Sequence, residues 1–454
     1  MNPTVYRGLQ RVKHLAFRKS VSRLEREEWL SRDQLTDIAW ERQKALVRHA
    51  YTHSPFYRHK YDAAGFHPDR LRNPDDFARV PVLTKTEVPE HIADMICDDV
   101  SHARLVRRHT GGSTGVPLMI YHDRMQAPVM HALYSRIIGR WGLKVGCKTA
   151  LIWGIRRPYT GDTYKKPTRW ERFLRNSVTL DAHDIMTTER MTRFARLLRD
   201  YRPDLIISYV SAMAAFARFL DEGGTPDFRP GAMWLSAEPT HSFQKELTER
   251  VFRSPVYDVY GSVEIDRIAA ECDRREGLHI NADLRTVEVV DKTGLPLPPG
   301  EIGELIVTDL TNHAAPLIRY RIEDLGSLLE QDCSCDRRLA LMGKVAGRII
   351  DMFVLPDGSQ IYGGGFATFF YDRVKEVRSF QVHQTDRNKV IVRVVPTATC
   401  EREDLRNELL RTFGSYTSGK MQFDIHFVDR IDQEASGKFR HVKSDVTHRI
   451  SGQL

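Results

Sequence analysis

Thr110-Gly111-Gly112-Ser113-Thr114-Gly115-Val116-Pro117 sets three glycines and three hydroxyls within eight residues, directly after Val106-Arg107-Arg108-His109. Glycine lets successive backbone N–H groups turn toward one anion and the hydroxyls add donors, so the stretch suits a triphosphate. No Gly-Lys-Ser/Thr follows at the spacing a P-loop needs, which excludes that motif. Taken alone, the same composition also describes a flexible turn. A second chemistry-bearing set is Cys272, His279, Cys333 and Cys335. Three thiolates and one imidazole make the closed tetrahedral set that structural zinc takes. Cys-x-Cys is tighter than the usual zinc knuckle and Cys272 is remote, so buried free thiols beside a satisfied histidine stay open as the alternative. Cys97, Cys147 and Cys400 have no partners in sequence and read as structural.

The elements that position these residues follow from periodicity. Met191, Phe194, Ala195 and Leu198 fall at helical spacing between Thr188 and Tyr201, and the apolar run Leu205-Ile206-Ile207 follows as a buried strand, a helix-then-strand order that predicts α/β layering. Val287 to Asp291 and Glu304 to Thr308 read as strands joined by a segment rich in glycine and proline, an antiparallel region. After about residue 350 the pattern changes. An Asp357-Gly358 turn, a strand from Lys389 to Val395, a helix near Arg402 to Phe413, and alternating Met421, Phe423, Ile425 and Phe427 predict a separate small α+β domain.

At 454 residues, 41% hydrophobic and 28% charged, with a mean hydropathy of −0.42, the chain is ordinary for a globular protein of two or three domains and wrong for a disordered one. The longest uncharged apolar window, Leu205 to Ala217, is too short to span a bilayer as a helix, and the N-terminus lacks a secretory pattern, so a cytoplasmic location is expected. Residues 1–60 form a basic helical segment that carries thirteen Lys/Arg against six Asp/Glu of the net +8 charge. It lacks the basic-aromatic signature of a nucleic-acid module, and no nucleic-acid partner is expected.

Several segments together carry a resemblance. The string Thr110 to Pro117 resembles the phosphate loop of adenylate-forming enzymes, with Leu118 in place of the usual lysine. That departure is similar to the phenylacetate-CoA ligase and CapK-like branch. So are Tyr51-Thr52-His53-Ser54-Pro55-Phe56-Tyr57-Arg58 and Val80-Pro81-Val82-Leu83-Thr84-Lys85. Ser236-Ala237-Glu238-Pro239 resembles the turn beside the adenine, and Tyr257 to Glu264 resembles Y-D-x-Y-G-x-x-E. Arg319-Tyr320-Arg321-Ile322-Glu323-Asp324 resembles R-Y-R-T-G-D, with Glu323 where glycine is usual. Gly347-Arg348 resembles the pair before the domain hinge, although Ile350 occupies the usual hinge aspartate. Ser436-Gly437-Lys438-Phe439-Arg440 resembles the C-terminal G-K-x-R.

The resemblance implies an α/β fold with a large N-terminal adenylate-forming domain, residues 1–347, and a small mobile C-terminal α+β domain, residues 348–454. It implies ATP-dependent activation of a carboxylic acid, aromatic by analogy, to acyl-AMP, then transfer to a thiol, most simply coenzyme A. Under it, Thr110, Gly111, Gly112, Ser113, Thr114 and Gly115 cradle phosphates, with Thr114 also catalytic. Ser236, Ala237, Glu238, Pro239, Tyr260 and Gly261 border the adenine, Glu264 holds Mg²⁺, Asp324 the ribose, Arg348 ribose or phosphate, and Lys438 the α-phosphate. A carboxylate is acceptor-only, which suits the two hydroxyls of a ribose. Relatives carrying a similar Cys, His and Cys-x-Cys strengthen the zinc reading of Cys272, His279, Cys333 and Cys335. Trp153, Tyr209 and Met213 either line an acid pocket or fill the core. Two rivals stand beside this reading. One passes the acyl group to a carrier-protein thiol or an amine. The other is a non-catalytic nucleotide- or partner-binding protein on the same fold, suggested by Glu323 and Ile350. A homodimer is also open.

Overall fold

The computed structural model describes residues 17–109, 118–153, 176–181, 188–223, 226–345, 347–348, 352–362, 366, 369–370, 373, 376–432 and 440–446. Helices Arg18–Glu27, Arg32–His53 and Pro55–Ala63 open it. Ser31 starts the second through a capping box with Gln34, and the Ser54 side chain accepts from Tyr57 N–H at the start of the third. These caps satisfy N–H groups that a helix start otherwise leaves unpaired. A hairpin of β1 (Leu105–His109) and β2 (Met119–Asp123) brackets residues 110–117, which lie outside the described residues.

The largest sheet has nine strands. Its parallel half runs β4 (Ser177–Asp181), β3 (Thr149–Trp153), β5 (Leu205–Tyr209), β6 (Ala232–Ser236), β7 (Val256–Ser262). The continuous apolar runs of β5 and β6 are what a strand covered on both faces requires. The covering helices include Thr188–Tyr201, Val210–Gly223 and Ser242–Phe252, whose apolar faces pack into the core with Met233, Leu235 and Val256. Beyond β7 the sheet turns antiparallel through β8 (Asp266–Glu271), β9 (Leu278–Ile280), β14 (Leu341–Met342) and β13 (Leu328–Leu329).

A second sheet joins β10 (Arg285–Val290), β11 (Gly303–Asp309), β12 (Tyr320–Gly326) and β15 (Gly347–Arg348), all antiparallel. Further on, β16 (Met352–Val354) pairs with β17 (Gln360–Tyr362), and a four-stranded sheet has the order β20 (Gln422–Phe427), β19 (Lys389–Pro396), β18 (Val377–Asp386), β21 (Val442–Ser444). Helix Arg402–Tyr416 packs on it through Leu405, Leu409 and Phe413. The architecture is the expected α/β class with a distinct α+β unit at the C-terminal end. No helix among the described residues is long and apolar enough to cross a membrane.

Candidate active site and cysteine cluster

In a parallel sheet the strand C-termini and the loops that leave them form the usual crevice for a ligand. Here β6 ends at Ser236 and runs straight into Ala237-Glu238-Pro239. Ala237 holds a left-handed φ of 73°, a conformation a non-glycine residue adopts at a cost. Ser236 Oγ donates to the Val259 carbonyl at 2.7 Å and so fastens this turn to β7. The Glu238 carboxylate accepts from Ser211 N–H at 2.6 Å and from Ser211 Oγ at 2.9 Å. Ser211 lies in the first turn of helix Val210–Gly223, so this carboxylate ties the end of β6 to the N-terminus of the helix after β5, where negative charge is favoured.

Next to this turn, β7 supplies Tyr260 and Gly261. Tyr260 is buried, and its hydroxyl donates to Asp324 Oδ2 at 2.8 Å, joining the two sheets. A side chain at Gly261 would meet the Asp266 carbonyl at 2.3 Å, so only glycine lets the β7–β8 turn close at this point. Glu264, in that turn, is buried with Oε1 3.4 Å from the Tyr320 hydroxyl. Burial first, then the neighbouring carboxylates of Glu264 and Glu323, holds the Tyr320 phenol far above its ordinary range, which keeps it a donor. Asp324 faces Arg348 in the β12–β15 register.

Glu323, in the place of glycine, has φ 67° and lies 2.9 Å from Lys85 Nζ. Lys85 arrives there because Val80 to Lys85 runs beside β12: Leu83 N–H donates to the Arg319 carbonyl at 3.0 Å and Arg321 N–H to the Leu83 carbonyl at 2.9 Å. Arg319 is consumed by structure, with its guanidinium on Glu288 and on the Ala78 and Val80 carbonyls. The structure therefore brings Ser236, Ala237, Glu238, Pro239, Tyr260, Gly261, Glu264, Asp324 and the Arg348 backbone to neighbouring strand ends. Thr110 to Gly115, Lys438 and Ile350 lie outside the described residues. Trp153 and Tyr209, at the ends of β3 and β5, have ring centroids 4.1 Å apart, while Met213 is fully buried and fills core. The Tyr260–Asp324 and Lys85–Glu323 partnerships were not visible in the sequence, since each spans dozens to hundreds of positions.

The cysteine and histidine set converges. Cys272 follows β8, His279 lies on β9, and Cys333 and Cys335 sit in the loop before β14. Cys272 Sγ is 3.6 Å from Cys333 Sγ, Cys335 Sγ is 3.3 Å from His279 Nε2, and the four ligand atoms lie within 4.8 Å of one another. None of these cysteines is in a disulfide. Burial raises the thiols of Cys272 and Cys333, a penalty on thiolate that a bound divalent cation reverses. Three sulfurs and one ring nitrogen at this spacing fit zinc. Arg337, two residues past Cys335, bonds Glu28 at 2.9 Å, and Glu28 also holds the buried Arg140 at 2.6 Å. The cluster is thereby keyed to the end of the first helix, in the basic segment.

Comparison with known proteins places these features together. Residues 353–445 match the family model described as the CapK C-terminal domain. Phenylacetate-coenzyme A ligase of Thermus thermophilus is 31% identical over 339 residues, covering 72% of this chain and 73% of that protein. The chain belongs to the phenylacetate-CoA ligase and CapK-like branch of the adenylate-forming enzymes. Phenylacetate-coenzyme A ligase of Escherichia coli, 31% identical over 348 residues, covers 74% of this chain and 76% of that protein. A crystal structure of 2-hydroxyisobutyryl-CoA ligase with its acyl-AMP, in the postadenylation state, superposes with a TM-score of 0.76 at 21% identity, covering 93% and 92% of the two chains. That likeness supports the same fold. The protein is thus an AMP-forming acid–thiol ligase, which answers the expectation of ligase chemistry over that of a non-catalytic binder.

Proposed function

We propose that this ligase joins an aromatic carboxylic acid to ATP as acyl-AMP and then passes the acyl group to coenzyme A. In the first step a carboxylate oxygen attacks the α-phosphorus and the bond to pyrophosphate breaks. In the second, a thiol attacks the acyl carbon and AMP leaves with the bonding electrons. No side-chain nucleophile is needed. The observation that carries the reading is the Tyr260–Asp324 hydrogen bond at 2.8 Å, which holds an acceptor-only carboxylate beside the C-terminal end of β7. On this reading Asp324 binds the ribose, Tyr260 and the turn from Ser236 to Pro239 border the adenine, and Gly261 leaves room for the turn.

Glu264 would hold Mg²⁺, which supplies charge neutralisation to the phosphates. Thr110 to Gly115 would donate to those phosphates, with Thr114 among the catalytic groups, and Arg348 would reach ribose or phosphate. Lys438 would place an ammonium between carboxylate and α-phosphate. The proposed division is residues 1–347 and a mobile unit at 348–454. Cys272, His279, Cys333 and Cys335 would hold one structural zinc, which serves the fold and takes no part in either step. The aromatic acid is supported by the names of the curated relatives, both phenylacetate-CoA ligases, and the location we propose is the cytoplasm. The test is pyrophosphate release across a panel of aryl and alkyl acids, with and without coenzyme A. Aryl acids should be preferred, with thioester formed only when the thiol is present, and Glu264→Gln should cripple turnover. Absence of pyrophosphate with every acid would overturn the reading.

A further inference from the structure

Helix Arg32–His53 carries histidines at its C-terminal end, His49 and His53, four residues apart. That spacing stacks both imidazoles on one helical face, and their ring centroids are 4.9 Å apart. Asp99 comes to the same face from a turn tied down by backbone. Asp98 N–H donates to the His53 carbonyl at 2.9 Å and Cys97 N–H to the Ala314 carbonyl at 2.9 Å. His49 Nε2 lies 3.9 Å from Asp99 Oδ1, and one ligand atom from each of His49, His53 and Asp99 falls within 4.8 Å of the others. All three side chains reach solvent in part, at 19%, 34% and 42% exposure.

The surroundings are built as metal sites are built. His53 Nδ1 is 2.8 Å from Asp98 Oδ1, and with Nδ1–H donating to that carboxylate the ring's lone pair is on Nε2. A carboxylate behind a histidine fixes the ring and raises its basicity as a ligand. His49 Nε2, the nitrogen that faces Asp99, also donates to the His313 carbonyl at 3.0 Å, a bond that an ion at Nε2 would replace, and the His313 ring packs edge-on at 5.2 Å. None of these groups belongs to the ligase site or to the cysteine cluster.

We propose that His49, His53 and Asp99 form a second, open site for a divalent first-row transition ion. Two imidazoles and one carboxylate select borderline ions such as Ni²⁺, Cu²⁺ and Zn²⁺ over Mg²⁺ or Ca²⁺, which prefer all-oxygen shells. Tetrahedral ligands ~2.0–2.1 Å from zinc are about 3.3 Å apart, so the present spacing closes with rotations of partly exposed side chains. A bound ion would clamp the last turn of the helix to the turn at Asp98 and Asp99.

Ni²⁺ is the probe, titrated into untagged full-length protein that retains its as-purified metal. Wild type should take up one equivalent by calorimetry, with a rise in Tm. Replacing a ligand should cost at least what loss of a supporting partner costs, about tenfold or more in affinity, in both His53→Gln and Asp99→Asn. Because Asp99 is exposed, Asp99→Asn keeps the test valid if His53→Gln disturbs the fold. Cys333→Ser should leave Ni²⁺ uptake intact, which separates this site from the cysteine cluster. Unchanged Ni²⁺ affinity in both ligand variants, or no uptake by wild type, overturns the proposal.

Discussion

Removing one oxygen at Tyr260 tests the candidate nucleotide site without disturbing its packing. Tyr260→Phe keeps the buried ring beside β6 but deletes the donor that sits 2.8 Å from Asp324 Oδ2. A hydrogen bond to a charged acceptor contributes ~1.5–3 kcal/mol, or about ten- to a hundredfold in an equilibrium constant. Asp324 is partly exposed, so water replaces part of the loss and the lower figure applies. The carboxylate has about four lone-pair sites, enough to receive Tyr260 and two ribose hydroxyls together. The expected outcome is an ATP Kd and KM raised about tenfold with kcat nearly unchanged, the signature of lost uniform binding. Asp324→Ala should cost more, and adding Tyr260→Phe to it should cost less than Tyr260→Phe alone, because the hydroxyl would already have lost this acceptor. Calorimetry with ATP and steady-state pyrophosphate release measure both quantities across the four proteins. Fully additive losses, or wild-type ATP affinity in Asp324→Ala, would refute the assignment of this pair.

Elemental analysis of protein purified without chelator should find about one zinc per chain, and Cys333→Ser should lower Tm by about 5 °C; absence of zinc would remove the cysteine cluster from the metal reading. His241 and His441, whose rings meet edge to face at 6.0 Å, are held by burial at about 3 and about 4, below the ordinary 6.5. Both are neutral in the fold, and the unfolded chain gains their protons first, so stability is full above pH 6.5 and falls as pH drops toward 4. A Tm-against-pH series should show that fall in wild type and a shallower one in His441→Phe; equal slopes would contradict it. Lys438→Ala should slow pyrophosphate release about a hundredfold, the order of one preorganised oxyanion donor, while still turning chemically made acyl-AMP and thiol into thioester. Undiminished adenylation in that variant would end the catalytic role of Lys438.

Local pattern carried a definite share of this structure. The helix Thr188–Tyr201 has the bounds its apolar period predicts, because one stripe of Met191, Phe194 and Leu198 meets the core. Strand β11 extends one residue beyond its sequence signal at each end, and β10 begins two residues before its signal and ends one residue short of it, because backbone pairing rather than apolar pattern sets the ends. The cysteine cluster was legible from ligand chemistry, although three separate segments had to converge to make it. Illegible were the partners supplied by tertiary contact. The bonds from Ser211 to the Glu238 carboxylate, which tie the turn after β6 to a helix start, are one such partnership. His49 and His53 show their shared face in sequence, yet Asp99 joins them only because a backbone hydrogen bond anchors its turn to the helix end.

Glu323 shows why a departure from a motif can leave its geometry intact. In β11 and β12 the register runs from Glu304↔Leu325 to Ile306↔Arg321, so one residue of β11 opposes three of β12. Such a bulge turns side chains away from the regular alternation, and here it lies at Asp324 itself. The positive φ of 67° at Glu323 is part of that turn, which accounts for glycine as the usual occupant. A left-handed non-glycine residue costs about 1–2 kcal/mol. The partly exposed ion pair with Lys85 returns ~0.2–1 kcal/mol, so charge does not fully offset the strain. The backbone nevertheless keeps the shape, with a register that sets Asp324 opposite Arg348 and within reach of Tyr260. The strain at Glu323 is thus carried by the same bulge that turns the Asp324 carboxylate to the Tyr260 hydroxyl, so relaxing that φ would move the acceptor on which the proposed ribose contact depends.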